Sequence, residues 1–153
     1  MAQTTVAGIE GVQGLIGQHL GYSDWVQVTQ EQVNQFAEAT GDHQWIHVDP
    51  DRAKKESPFG GPIAHGYLTL SLIPALLPQV LVPTGFKMGV NYGCNKVRFM
   101  APVPVGAKIH LGIKVLAVDE IAGGSQMTLE ATLETEGASK PSCVAEVIYR
   151  QYE

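Results

Sequence analysis

The stretch "LTLSLIPALLPQVLV", Leu68 to Val82, decides what kind of fold the chain can form. It is shorter than the run of about 20 apolar residues that a membrane span needs, and prolines interrupt it. Apolar side chains recur on every side of a helix that begins at His65, which predicts a helix surrounded by protein. Pro74 has no N–H to give and should kink this helix.

Beyond Lys108 the pattern changes from helical spacing to alternation. The inward positions are Ile109, Leu111, Ile113, Val115 and Ala117, then Met127, Leu129, Ala131 and Leu133, and finally Cys143, Ala145, Val147 and Tyr149. Polar residues separate most of them, which predicts half-buried antiparallel strands, with a turn at "AGGS", Ala122 to Ser125. The stretches "FKMGVNYG" and "NKVRF" supply earlier strands. The fold class is therefore α+β, a long buried central helix wrapped by a curved antiparallel β-sheet in a hot-dog-like layout.

Composition limits the organisation and partners of the chain. Its 153 residues suffice for one domain, so we expect residues 1–153 to form a single unit. The net charge of −5 argues against nucleic acid, because phosphate-backbone binding needs many clustered Lys and Arg side chains. Cys94 and Cys143 fit no disulfide framework and are expected to be free, buried thiols. The first residues lack the features of a secretion signal, so we expect a cytoplasmic protein without membrane association.

A sheet of this size has edges that must be protected from uncontrolled pairing. Joining two copies edge to edge into one continuous sheet would pair the free main-chain groups of both. We therefore expect a homodimer.

Two aspartates and two histidines are gathered in "TGDHQWIHVDP", Thr40 to Pro50. A helix should precede this loop, because Thr29 to Gln32 has the form of a capping box and Gly41 offers a stop. Another helix should follow, with Asp49 as its cap and a proline in its first turn. The ionisable groups therefore lie between the end of one helix and the start of the next.

This loop and the start of the apolar helix together resemble the MaoC-like family of (R)-specific enoyl-CoA hydratases, over nearly the whole chain. The loop has Gly41-Asp42-His43-Gln44-Trp45-Ile46-His47, where the family motif is Gly-Asp-x-Asn-Pro-Leu/Ile-His, and "GPIAHGYLTLS" opens the helix. The substituted Gln44-Trp45, with "VNYGCNKVRFMAPVPVG" further on, is similar to the NodN-like subgroup. The resemblance implies an enoyl-CoA hydratase, a hydro-lyase of fatty acid metabolism, that converts trans-2-enoyl-CoA to (R)-3-hydroxyacyl-CoA. It also implies catalytic roles for Asp42 and His47, and a hydrogen bond from Ser71 to the aspartate.

The residues themselves suit this chemistry. Hydration of a 2-enoyl thioester needs a base for the water proton, an acid for the α-carbon, and donors for the enolate oxygen formed in between. Asp42 and His47 fit the first two tasks, and we expect them to act on one water as a coupled pair. Gly66 leaves its amide unshielded at a helix start, where a thioester oxygen could bind. His65 alone is more typical of a helix-start residue than of a catalyst.

Other interpretations of the loop stay open. His43 and His47, with Asp42 or Asp49, have the donor types of a metal site. The HxxxH pattern prefers a helix, however, and this stretch contains breakers, so we expect no metal, and no cofactor beyond the CoA of the substrate. Trp45 could cap an acyl site or fill it, and a filled site would leave a non-catalytic acyl-binding module. An acyl-CoA thioesterase is the other alternative, with a carboxylate that directs water at the carbonyl carbon.

Candidate contacts for the phosphates of CoA are basic residues after the loop and on a later strand. They are Arg52, Lys54, Lys55, Lys96 and Arg98. Cationic side chains bind phosphate through charge-assisted hydrogen bonds, although on short helices they also commonly face solvent. A carrier-protein thioester is equally compatible with the sequence.

Overall fold

The computed structural model describes residues 3–153. The helices are α1 Gly8–Gln13, α2 Gln30–Thr40, α3 Trp45–Val48, α4 Pro50–Glu56, α5 Gly66–Ser71 and α6 Ile73–Leu76, which a 3-10 turn, Leu77–Gln79, extends. The strands are β1 Thr4–Ala7, β2 His19–Tyr22, β3 Val26–Gln27, β4 Leu81–Thr84, β5 Met88–Arg98, β6 Lys108–Ile121, β7 Gly124–Thr135 and β8 Cys143–Tyr152.

The long strands form one antiparallel sheet in the order β2-β6-β7-β8-β5, with β3 paired to the start of β6. β1 and β4 form a separate parallel pair. The inward side chains of β7 are all buried, as the alternation predicts: Met127, Leu129, Ala131 and Leu133. They pack in one core cluster with side chains from α5 and α6. The α+β fold, in which helices cover one face of a curved antiparallel sheet, is confirmed.

The alternation of β6 is correct only as far as Val115. A bulge between Val115 and Ala117 shifts the pairing of β6 with β7 by one residue. Because side chains alternate between faces, the shift turns Val118 into the core and leaves Ala117 half-buried, so the inward assignment of Ala117 is wrong.

The two early strand stretches form one strand rather than two. β5 stays paired to β8 over its whole length because bulges between Asn91 and Gly93, and between Cys94 and Lys96, absorb the irregular middle. Cys94 is exposed on this strand, which corrects the prediction of two buried thiols. Cys143 is buried, and burial raises the pKa of its thiol to about 11, so it is a packing residue rather than a nucleophile.

The central helix is broken rather than continuous. α5 ends at Ser71, Leu72 separates it from α6, and Pro74 lies in the first turn of α6, where a missing N–H costs nothing. The sequence predicts a kink there, and the structure has a break. The helix is also not surrounded within one chain, since Tyr67 on α5 is 69% exposed.

β5 lies at one end of the sheet and pairs with β8 alone. All but one of its side chains are exposed, including Met88, Val90 and Tyr92. A strand of this length, with one free edge and exposed apolar side chains, is a surface that proteins normally cover. In residues 3–153, no helix has the length and apolar character to cross a membrane.

Candidate active site

The turn that carries Asp42 is built by the end of α2. Thr29 caps the start of that helix by accepting a hydrogen bond from the Gln32 amide at 3.1 Å, as predicted. Gly41 ends it with φ of 86°, a conformation that side chains with a Cβ rarely adopt. The Asp42 carboxylate then accepts from the Gln44 amide at 3.3 Å, so the side chain is held against its own loop.

His47 lies on a short helix, α3, in a stretch that the sequence predicts as loop. The main chain of α3 is held from two sides: Gln30 on α2 donates to the His47 carbonyl at 2.8 Å, and the Ile63 amide donates to the Ile46 carbonyl at 3.0 Å. Helix α4 follows as predicted, with Asp49 accepting from its first turn. These contacts fix the position of the main chain that carries the His47 imidazole.

Asp42 and His47 converge in the folded chain. Together with His65, they offer carboxylate and imidazole atoms that all lie within 4.8 Å of one another. His47 is 6% exposed, whereas Asp42 is open to solvent. The Nδ1 of His47 lies 2.7 Å from the Ile63 carbonyl oxygen, and because a carbonyl only accepts, Nδ1 is the donor. The neutral imidazole therefore carries its lone pair on Nε2, as a base for a water proton requires.

The surroundings favour the neutral form of His47. Burial lowers its pKa below the ordinary 6.5, while the hydrogen bond to Ile63 opposes this shift. The neighbouring His65 lowers the pKa further, and the Asp42 carboxylate raises it. The result is an unprotonated imidazole beside a carboxylate at neutral pH, which is a suitable pair for removing and returning a proton.

His65 joins this pair, although its sequence position suggests only a helix-start residue. It does precede α5 directly, but its side chain makes no cap hydrogen bond. Its ring stacks on that of His47 with centroids 3.9 Å apart and planes at 24°, and its Nε2 lies 3.0 Å from the Asp42 carbonyl oxygen. The sequence signal was a histidine next to a glycine at the start of an apolar helix.

Gly66 begins α5, as predicted, and lies against a cavity. The Phe99 ring would be 3.1 Å from a Cβ at this position, so only glycine fits without displacing that ring. A cavity of about 350 Å³ lies beside it, with Phe59, Ile63 and Met100 in its lining. The helix start therefore borders an apolar space, which Gly66 lines but Asp42, His47 and His65 do not.

Ser71 does not form the predicted hydrogen bond with Asp42. Its hydroxyl donates to the Tyr67 carbonyl one turn back, at 2.6 Å, as serines inside helices commonly do. A carboxylate only accepts, so the single hydroxyl donor of Ser71 is already used. The side chain instead lines a cavity of about 380 Å³ between the broken helix and strands β5 and β8.

The five candidate phosphate contacts fall into two groups. Lys54 and Lys55 are exposed on the last turn of α4, directly after the loop. Arg52 is on the same helix, but its guanidinium covers the Trp45 ring at 4.3 Å and bonds Glu56 at 2.7 Å. The remaining two, Lys96 and Arg98, lie on β5, and Lys96 is 3.5 Å from Glu146.

Trp45 and His43 are engaged away from a metal-binding arrangement. Trp45 starts α3 half-buried beneath the Arg52 guanidinium. His43 bonds the exposed Glu38 at 2.7 Å, and this carboxylate raises the pKa of His43. Within residues 3–153, the groups that could hold a metal are instead the side chains of Asp42, His47 and His65. One ring nitrogen of each histidine already donates a hydrogen bond to a main-chain carbonyl.

Comparison with known proteins agrees with this fold. The model of the MaoC-like domain family matches residues 12–137. The chain therefore belongs to the MaoC-like domain family, and it is an enzyme of the hydro-lyase class.

Individual relatives are similar over most of their length. The 3-hydroxyacyl-thioester dehydratase Z of Mycobacterium tuberculosis is 50% identical over 147 residues, which cover 95% of this chain and 97% of the relative. Nodulation protein N of Rhizobium leguminosarum is 46% identical over 140 residues, 88% of this chain and 84% of the relative. Among solved structures, the (R)-hydratase from A. caviae involved in PHA biosynthesis superposes with a TM-score of 0.71 at 28% identity, covering 88% of this chain and 94% of that one.

Proposed function

We propose that the protein reversibly hydrates trans-2-enoyl thioesters to (R)-3-hydroxyacyl thioesters, with Asp42 and His47 acting together on one water. The observation that carries this proposal is the convergence of a carboxylate and a neutral imidazole within 4.8 Å beside the start of α5. The 50%-identical dehydratase supports a 3-hydroxyacyl thioester as the substrate class. The (R) configuration is proposed by similarity to the (R)-hydratase.

In the hydration direction, the pair removes one proton from water, and the water oxygen attacks the β-carbon of the enoyl group. The electrons of the double bond move onto the thioester oxygen as an enolate, which is then protonated at the α-carbon. The pair supplies that proton. The β-carbon therefore gains the hydroxyl group, the α-carbon gains a proton, and the pair returns to its starting protonation state. Because carboxylate and imidazole form a coupled pair, we assign both proton transfers to the pair and not to either group alone.

The start of α5 is proposed to bind the thioester carbonyl. First-turn amides of a helix have no partner inside the helix, and their dipoles favour developing negative charge. Gly66 presents such an amide next to His65 and beside the apolar cavity. CoA enters only as part of the substrate, and no separate cofactor or metal is proposed. Lys54 and Lys55, and less directly Arg52, Lys96 and Arg98, are the proposed phosphate contacts.

A homodimer is proposed to form through β5. This strand is exposed along one edge of the sheet, and Tyr67 on α5 is also exposed. Pairing two β5 strands would join the two sheets and cover these side chains. Val90→Lys should give a monomer in light scattering after size exclusion, whereas Val90→Thr should stay dimeric. A wild-type monomer at micromolar concentration would contradict the dimer.

The function is tested with crotonyl-CoA. The wild-type enzyme should remove the absorbance of the conjugated double bond without releasing free thiol, and chromatography should show the (R) product. Asp42→Asn and His47→Gln should each lower kcat by about 10³-fold, the range of general acid–base catalysis. Asp51→Asn and His43→Gln are the matched controls, because each removes the same chemical group from an exposed position nearby.

Other outcomes would replace the proposal with a specific alternative. Free thiol appearing at the rate of substrate loss would indicate a thioesterase. Tight binding of acyl-CoA without turnover of any enoyl thioester would indicate a binding module. Loss of activity on exhaustive chelation, with recovery on adding metal, would show that the cluster works as a metal site.

A further inference from the structure

His65 is an imidazole that the proposed mechanism does not use. It is 2% exposed, and its ring lies between those of His47, at 3.9 Å, and Phe36, at 4.9 Å. Within residues 3–153, its Nδ1 is buried and has no hydrogen-bond partner. Leaving a buried polar atom unpaired is destabilising, so an apolar side chain would pack here more favourably. The polar ring therefore needs another explanation.

The other ring nitrogen supplies one. Nε2 lies 3.0 Å from the Asp42 carbonyl oxygen, which only accepts, so Nε2–H is the donor. This bond links the loop after α2 to the residue before α5, which is 23 positions further along the chain. The same ring is stacked on His47. His65 thus contacts the main chain of one member of the pair and the ring of the other.

The other supports of Asp42 are local. Its carboxylate accepts from Gln44 at 3.3 Å, and its amide lies 3.5 Å from the Thr40 hydroxyl, both within two residues. These contacts fix the shape of the turn and join the Asp42 carboxylate to Gln44, the cap residue of α3, but neither of them reaches the His47 ring. Asp42 is exposed, so burial does not hold it either.

We propose that His65 is a positioning residue, which holds the Asp42 main chain against the His47 ring so that carboxylate and imidazole reach the same water. The inference rests on the proposed function, since it assumes that these two groups act together. Without the bond, the Asp42 main chain can shift relative to the His47 ring while the substrate pocket keeps its walls. A displacement of about 1 Å in a reacting group can cost about 100-fold in rate, so the loss should fall on kcat and leave KM unchanged.

Two amide variants separate the hydrogen bond from the mere presence of a polar side chain. His65→Gln places an NH₂ group near the position of Nε2 and can still donate to the Asp42 carbonyl. His65→Asn is one methylene shorter, places its amide near the position of Nδ1, and cannot reach that carbonyl. His65→Phe keeps the ring stack without any donor. Each variant is assayed for kcat and KM with crotonyl-CoA, after its thermal unfolding midpoint has been measured.

We expect His65→Gln to keep kcat within about tenfold of the wild type, and His65→Asn and His65→Phe to lose about 100-fold with KM unchanged. If His65→Asn does not fold, the comparison of Gln with Phe decides in the same way. Equal kcat in the Gln variant and in the folded variants without a donor would overturn the positioning role, as would a loss confined to KM. His43→Gln is the control in the same loop. If the wild type itself does not hydrate enoyl thioesters, the proposed function fails, which is a different result from wild-type activity with insensitive His65 variants.

Discussion

Across residues 3–153, histidines take part in two ring stacks, and these stacks differ in what the imidazoles bind. At the candidate site, His47 and His65 stack on each other, and each donates to a main-chain carbonyl. On the sheet, His110 of β6 lies between the rings of Trp25, at 3.7 Å, and Tyr22, at 4.4 Å. Its Nε2 bonds the Glu134 carboxylate on β7 at 2.8 Å.

Only one of these imidazoles is available for chemistry. Aromatic rings cover both faces of His110, and its Nε2 bonds Glu134. This histidine therefore joins β6 to β7 and to the segment that carries Tyr22 and Trp25. The neighbouring Gly112 has no room for a side chain, because a Cβ there would lie 2.6 Å from the Tyr22 ring. His47 instead donates only through Nδ1, so its Nε2 lone pair is free, and its side chain belongs to the same cluster as the exposed Asp42 carboxylate. We therefore expect the stack of His47 and His65, the site stack, to control activity. The stack of Trp25, His110 and Tyr22, the sheet stack, should control stability.

The largest expected effect tests whether Asp42 and His47 act as one unit. Residues that act together are strongly non-additive, so the double variant Asp42→Asn/His47→Gln should be within about tenfold of either single variant in kcat. His110→Gln should leave the kcat of the wild type unchanged, and adding it to His47→Gln should leave the lowered kcat of that variant unchanged, because the two stacks are independent. Single-turnover and steady-state kinetics on folded variants measure both. Multiplicative losses in the Asp42/His47 double variant would show that the two groups act separately.

A pH profile gives the next largest effect. Only the neutral imidazole accepts a proton, and burial holds the pKa of His47 below 6.5. Activity is therefore retained from neutral pH down to that lowered pKa, and kcat/KM should fall as the pH drops through it, by about tenfold per pH unit. The midpoint of the acid limb should lie below 6.5 and be the same in His110→Gln. An acid limb centred at or above 6.5 would contradict the assignment of His47.

The sheet stack should show the reverse pattern. His110→Ala removes two ring contacts and one hydrogen bond, and should lower the free energy of unfolding by about 1–2 kcal/mol. The expected kcat is that of the wild type. Urea unfolding monitored by circular dichroism measures the first quantity, with His43→Ala as an exposed control that should leave stability unchanged. A variant with normal stability and impaired turnover would mean that the two stacks communicate.

Local signals made much of this architecture predictable. The helix cap at Thr29, the stop at Gly41 and the cap at Asp49 are set by neighbours within three or four residues, and the structure has all three, although only the Thr29 half of the predicted capping box is formed. The alternation in β7 also holds, because that strand lies in the middle of the sheet and no bulge interrupts it. The proximity of Asp42 and His47 followed from the helix end and a short connection.

The features that the sequence did not predict depend on distant partners. The bulge in β6 and the fusion of two stretches into β5 are set by pairing with neighbouring strands, and no short-range pattern encodes them. Ser71 is an exception, because its hydroxyl donates to the Tyr67 carbonyl four residues earlier, which is a local contact. His65 entered the site through contacts with residues 18 and 23 positions earlier, which spacing along the chain cannot indicate.

The smallest expected effect is a change in KM when basic residues on α4, near the candidate site, are reversed in charge. Lys54 and Lys55 are exposed on α4, the helix that follows the candidate loop. If they contact CoA phosphates, Lys54→Glu/Lys55→Glu should raise KM for crotonyl-CoA by about three- to tenfold, with kcat unchanged, since exposed charge pairs are individually weak. The effect should shrink as ionic strength rises, because salt screens exposed charges. Lys108→Glu/Lys140→Glu makes the same change of charge at exposed positions, one at the start of β6 and one in the connection between β7 and β8, and should leave KM unaltered. Equal changes in both double variants would mean that KM responds to net charge alone, and no change in either would remove α4 from the phosphate site.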